Sequence, residues 1–123
     1  MIYEIRTYTL RPGSVPEYLT RFAESYPIRA KYSPMYGMWS TEIGPLNQIV
    51  HIWAYENLQQ RADTRAAATK DPSGKWPPGT RDLTVTQEND ILVPIDGWTH
   101  QEGSQELGGL YELRMYTYAP GNV

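Results

Sequence analysis

The feature that most constrains this chain is that its end repeats its beginning. Residues 3–15 read YEIRTYTLRPGSV and residues 111–123 read YELRMYTYAPGNV. Tyr3, Glu4, Arg6, Tyr8, Thr9, Pro12, Gly13 and Val15 recur 108 positions later as Tyr111, Glu112, Arg114, Tyr116, Thr117, Pro120, Gly121 and Val123. A repeat defines the unit of structure, so one unit occupies roughly the first hundred residues. The expected organisation is one domain over 1–97, a Gly-, Ser- and Gln-rich linker over 98–109, and over 110–123 the start of a second copy, incomplete at the point where its first helix should begin. A total of 123 residues fits one domain with a real core.

Composition removes several function classes. There is no Cys, which excludes disulfides, thiolate metal sites and Cys nucleophiles, and two His cannot build a three-His centre. Asp90, Glu88 and Asp71 lack a His or a helical pair at ligand spacing, so neither a metal nor another cofactor is expected. A net charge of −3 gives no electrostatic footprint for nucleic acid. No apolar run approaches the ~18 residues of a membrane span, and Met1 leads directly into a strand pattern without a signal peptide, so a cytoplasmic protein is expected.

Local patterns give the element order. Residues 2–10 alternate as a strand, and Ser14 with Glu17 has capping-box spacing ahead of a helix whose stripe is Val15, Leu19, Phe22 and Tyr26. Pro27 should kink or end that helix. Strands over 35–44 and 47–55 flank Gly44-Pro45-Leu46 as a hairpin. Asn57 should cap a helix over 58–70 with Leu58, Ala62 and Ala66 inward and Arg61, Arg65 and Lys70 outward. Residues 72–79 are irregular, a short helix near 80–88 is allowed, and Ile91, Val93 and Ile95 alternate as the last strand.

The order β-α-β-β-α-β specifies an α+β ferredoxin-like fold, a four-stranded antiparallel sheet with both helices on one face. Along the third strand, Val50, Ile52 and Ala54 form a small aliphatic face suited to helix packing, while His51, Trp53 and Tyr55 lie opposite. The helix-free face would then carry those residues with Arg6, Tyr8 and Trp39. Such a face is too apolar for water, so a homodimer through it is expected, the two sheets closing into a dimeric α+β barrel.

The opening Tyr3-Glu4-Ile5-Arg6-Thr7-Tyr8-Thr9-Leu10 with Pro12-Gly13, and the later His51-Ile52-Trp53-Ala54-Tyr55 with Asn57-Leu58, resemble NIPSNAP family domains. The resemblance extends over about 2–97 and starts again at 111. It implies a dimeric α+β barrel, tandem copies, a bacterial or mitochondrial setting (here a bacterial one is expected), and kinship with cofactor-independent monooxygenases and haem-degrading enzymes. The Pro- and Gly-rich segment 71–79 departs from the family pattern and should alter the rim of the cleft.

Two functions follow. In the first, a dimeric module binds a small apolar or aromatic ligand against Trp53, Tyr55, Trp39 and Glu4, or serves as an interaction scaffold. In the second, a cofactor-independent enzyme, monooxygenase-like or isomerase-like, acts on an aromatic or polyketide-like substrate. His51 is its general base, Arg6 stabilises the oxyanion and Tyr8 donates a hydrogen bond. Each residue also has a plainer role: His51 in a satisfied polar network, Arg6 and Glu4 as a buried pair, the aromatics as core. His100 needs no role.

Overall fold

The computed structural model describes residues 1–103 and 107–122. Its elements are β1 (Ile2–Leu10), α1 (Val15–Ala30), β2 (Met35–Ser40), β3 (Gln48–Tyr55), α2 (Leu58–Thr69) and β4 (Thr84–Leu92), with a 3-10 turn at Arg81–Leu83 before β4. The strands lie in the order β2-β3-β1-β4, every neighbour antiparallel. This is the ferredoxin-like arrangement that the element order specifies.

Local signals were honoured unevenly. Asn57 caps α2 as expected, its Oδ1 accepting from the Gln60 N–H at 2.9 Å. Ser14 makes no side-chain cap, and Glu17 instead accepts from Arg21 at 2.8 Å. Helix α1 runs through Pro27 to Ala30. Its last turn is pinned by tertiary contacts of Arg29, which donates to the Ser33 carbonyl and the Tyr55 hydroxyl. The last strand begins at Thr84, where a short helix was allowed, and ends before Val93. β4 is a polar edge strand whose hydrogen bonds to β1, rather than an apolar alternation, define it.

The larger correction concerns which face the helices cover. Pairing of Glu4 with Trp53 and Arg6 with His51 puts these residues, with Tyr8 and Tyr55, on one face. That face lies under the helices: Phe22 of α1 meets His51 at 5.9 Å between ring centres, Tyr18 meets Tyr8 at 6.1 Å and Tyr26 meets Trp53 at 6.4 Å. Val50, Ile52 and Ala54 are on the helix-free face, the reverse of the expectation. The argument from small residues fails because long aromatic and cationic side chains fill the space between helices and sheet.

Both helices are also rotated from the expected stripes. Buried positions of α1 are Tyr18, Phe22, Ser25 and Arg29, while Leu19 is exposed. On α2 only Ala68 is buried, Leu58, Ala62 and Ala66 are exposed, and Arg61 and Arg65 turn inward. A carboxylate buried at the centre of β1 draws Arg61 in, and the rest of the helix follows.

Trp39 is on the helix-free face, paired with Val50, and its ring lies over Gly37 so closely that any side chain at that position would collide with it. The C-terminal segment also reaches this face. Trp98 Nε1–H donates to the Tyr3 hydroxyl (2.9 Å), which contacts His100 Nδ1 (2.8 Å), and Tyr111 packs on Trp39 at 5.5 Å. His100 therefore has a structural role, stacking on Tyr36 at 5.3 Å. Residues 110–118 adopt no strand, and most of their apolar side chains are exposed. Of the expected linker and second copy, Ser104, Gln105, Glu106 and Val123 lie outside the described residues.

Candidate functional site

The centre of the covered face is a buried charge. Glu4 is fully buried, and its carboxylate accepts from Arg6 Nη1 (2.7 Å), Arg61 Nη2 (2.6 Å), Arg61 Nε (3.0 Å) and Asn89 Nδ2 (3.0 Å). Burial pushes its pKa up, but the hydrogen bonds and charges of Arg61 and Arg6 outweigh that and hold it at about 2. The free edge of Arg6 donates twice to the Tyr8 hydroxyl, at 3.0 and 2.8 Å. Arg6 is thus occupied on both sides.

Beside this network sits His51, 3% exposed. The Trp53 indole donates to His51 Nδ1 at 2.7 Å. An indole N–H can only donate, so Nδ1 carries the lone pair and the ring proton is on Nε2. Nε2 is buried without a partner among the described residues. Burial, helped by the charge of Arg6, depresses the pKa to about 3, so the ring is neutral at neutral pH. His51 therefore presents an unsatisfied N–H donor, an arrangement that costs about 1–3 kcal/mol when nothing receives it.

His51 lines a cleft of about 1140 Å³ between the sheet and the helices. Its floor is Arg6, Tyr8, His51 and Trp53, its walls are Tyr18, Phe22 and Arg29 of α1 and Arg65 and Thr69 of α2, and its rim is formed by Trp76 to Asp82 and the start of β4. Arg29 is 2% exposed and lies over the Trp53 ring at 4.4 Å. Burial lowers its pKa, yet a guanidinium stays charged in proteins. Trp76 closes the aromatic wall, 5.8 Å from Phe22 and 6.4 Å from Trp53.

Of the residues singled out from sequence, Arg6, Tyr8, His51 and Trp53 meet at the cleft. Tyr55 stands behind it and holds Arg29 through its hydroxyl at 2.9 Å, and Glu4 lies beneath Arg6. Trp39 is on the opposite face. Sequence reasoning missed Arg29, Arg65, Tyr18 and Trp76. A signal for Arg29 was available: it falls seven residues after Phe22, two helical turns along the same stripe. Arg61, Arg65 and Ala68 share a stripe in the same way.

A cleft with a polar-aromatic floor between two helices and an antiparallel sheet defines the α+β class of this protein, and comparison with known proteins narrows it. The NIPSNAP family profile matches residues 3–97, and the chain belongs to that family. It is 33% identical over 126 aligned positions to NipSnap homolog 3A of Homo sapiens, covering 98% of this chain and 49% of that protein. The chain thus spans about half the length of the curated relatives it matches first. Among solved structures, an uncharacterized NIPSNAP-like domain protein from Burkholderia xenovorans is 36% identical with a TM-score of 0.72, covering 80% of this chain and 88% of that one. A putative antibiotic biosynthesis monooxygenase from Nitrosomonas europaea shares the fold alone, at 11% identity and a TM-score of 0.58 over 77% of this chain and 99% of that one. Relatives occur in animals and Dictyostelium discoideum as well as bacteria, so the expected bacterial source is not supported by membership. No helix among the described residues is long and apolar enough to cross a membrane.

Proposed function

We propose that this NIPSNAP domain binds a small aromatic or apolar ligand in the cleft between its helices and its sheet. The observation that carries the reading is the cleft itself, well above the ~300 Å³ where ligand sites begin, lined by aromatic rings and by His51, whose buried Nε2–H has no partner among the described residues. Titration with neutral bicyclic aromatics (2-naphthol, quinoline, naphthalene-2-carboxamide), read by tryptophan emission, tests it. A saturable change is expected, retained in Trp39→Phe and weakened about tenfold in His51→Leu. Absence of a saturable signal from every compound at millimolar concentration would leave the scaffold reading in its place.

An enzymatic version assigns chemistry to His51, Arg6 and Tyr8. A general-base role would require Trp53 to release Nδ1, whereas donation from Nε2–H to a developing oxyanion uses the proton where it already sits. We also propose that a second copy covers the helix-free face, now through Val50, Ile52 and Ala54 instead of the aromatic set. Sedimentation showing a folded, soluble monomer at micromolar concentration would overturn this. Residues 110–123 are proposed to open a second copy of the domain, supported by the repeat and by the relatives' length. A cytoplasmic setting is part of the same proposal, and recovery of the tagged protein in an organelle or membrane fraction would refute it.

A further inference from the structure

Most charge inside the fold is accounted for. Arg6 and Arg61 neutralise Glu4, and Asp82 at the rim of the cleft pairs with Arg21 at 2.8 Å. Two guanidiniums remain. Arg29 is buried, and its hydrogen bonds go to neutral acceptors, the Ser33 carbonyl at 3.1 Å and the Tyr55 hydroxyl at 2.9 Å. Arg65, half-buried on the facing helix, has no side-chain hydrogen bond or ion pair among the described residues. The two repel each other, and Arg65 is also felt at His51. A cation inside a protein without an ionic partner is costly, and for Arg29 stacking on Trp53 returns only part of that cost.

The excess is local. The whole chain carries −3, yet the cleft and the network beneath it hold Arg6, Arg29, Arg61, Arg65 and, at the rim, Arg81, against the buried carboxylate of Glu4 and the rim carboxylate of Asp82, which Arg21 already pairs. Groups without an ionic partner line the same volume from two elements, Arg29 from α1 and Arg65 from α2, and His51 lines it from β3. Beside them lie the aromatic rings of Phe22, stacked between Tyr18 and Tyr26, and of half-buried Trp76, which the Arg29 guanidinium approaches at 6.0 Å.

We propose that the natural ligand of this cleft is a carboxylate-bearing aromatic acid, its carboxylate received by Arg29 and Arg65 on the two facing helices, with His51 beside them, and its ring packed against Trp76. The proposal rests on the ligand-binding reading above and adds the chemical class. Guanidinium forks match a carboxylate's two oxygens, and the N–H of a neutral imidazole adds a donor without a further charge. The aromatic wall distinguishes such an acid from an inorganic anion.

The test pairs each acid with its neutral isostere: 2-naphthoate against naphthalene-2-carboxamide, and 4-biphenylcarboxylate against its amide, with inorganic phosphate as a third arm. Titrations near pH 7 should show each acid binding at least tenfold tighter than its amide. Arg65→Met should weaken the acids several-fold more than the amides and so remove most of that preference, and Arg65→Lys should restore part of it. Arg65 is the residue of choice because it holds no partner whose loss would unfold the chain; circular dichroism of each variant verifies this. Amides that bind as tightly as acids would overturn the anion assignment while the ligand reading stands. Phosphate competing with the acids at equal concentration would overturn the aromatic class. Failure of acids and amides alike at millimolar concentration would remove the ligand reading and this inference with it.

Discussion

The two faces of the sheet make opposite use of one strand alternation. Under the helices, β1 and β3 present Glu4, Arg6, Tyr8, His51, Trp53 and Tyr55, a set rich in charge and hydrogen-bonding atoms. On the helix-free side the same strands present Tyr3, Ile5, Thr7, Val50, Ile52 and Ala54, small or singly polar. Enclosure has gone to the face that costs more to enclose. Such a face is stable only where every charge finds a partner, and where one does not, the gap marks a place for something else. The contrast separates a covered face built around a buried polar network from an outer face that carries none.

The strongest way to break this comparison is to unbalance its buried network. Glu4→Gln removes the carboxylate that Arg6 and Arg61 share and leaves two cations enclosed, so urea denaturation should register a loss of about 3–5 kcal/mol. A loss below 1 kcal/mol would mean that water reaches the network, and that the two faces differ less than their burial suggests.

Acid should act on the covered face next, and in two stages. Both His51 and Glu4 have folded-state pKa values depressed below their unfolded ones, so their contributions are complete above the unfolded values and vanish as pH falls. For His51 the window runs from 6.5 down to about 3, because the unfolded chain takes up a proton that the native ring refuses. For Glu4 it runs from 4.5 down to about 2. Denaturation midpoints should therefore decline between pH 7 and 5 on account of His51, then more steeply below 4.5. His51→Leu should flatten the upper stage and keep the lower. A midpoint unchanged between pH 7 and 5 in the parent protein would contradict the neutral, buried histidine.

The outer face should respond least. Trp98→Ala removes one hydrogen bond to the Tyr3 hydroxyl and an edge-on ring contact at 6.1 Å, and a loss of about 1 kcal/mol is expected. If this substitution rivals Glu4→Gln in cost, the C-terminal segment belongs to the core and the contrast between the faces is overdrawn.

How far the site could be read from the chain depends on the kind of information each part needed. His51, Arg6, Tyr8 and Trp53 were legible because strand parity places them together whatever covers them. Arg29 and Arg61 were hidden by the rule that sends cations outward, a rule that holds only where no buried carboxylate or aromatic ring receives them, and Arg65 follows Arg61 on the same helical stripe. Trp76 sits in irregular chain with no periodicity to read. Trp39 lies on the helix-free face as expected but apart from His51 and Trp53, because the β2–β3 register, offset by an irregularity between Met35 and Gly37, is not written in either strand alone.

By itself the sequence determined the element order, the α2 cap at Asn57, the repeated segment and the family, because each depends on neighbours within a few residues or on direct likeness. Only the tertiary structure decided which face of the sheet the helices cover, and with it the inward turn of Arg61, Arg65 and Arg29. Alternation states which residues share a face and is silent about which face is covered. That choice was made by a network spanning β1, α2 and β4, centred on Glu4, whose members lie up to 85 positions apart.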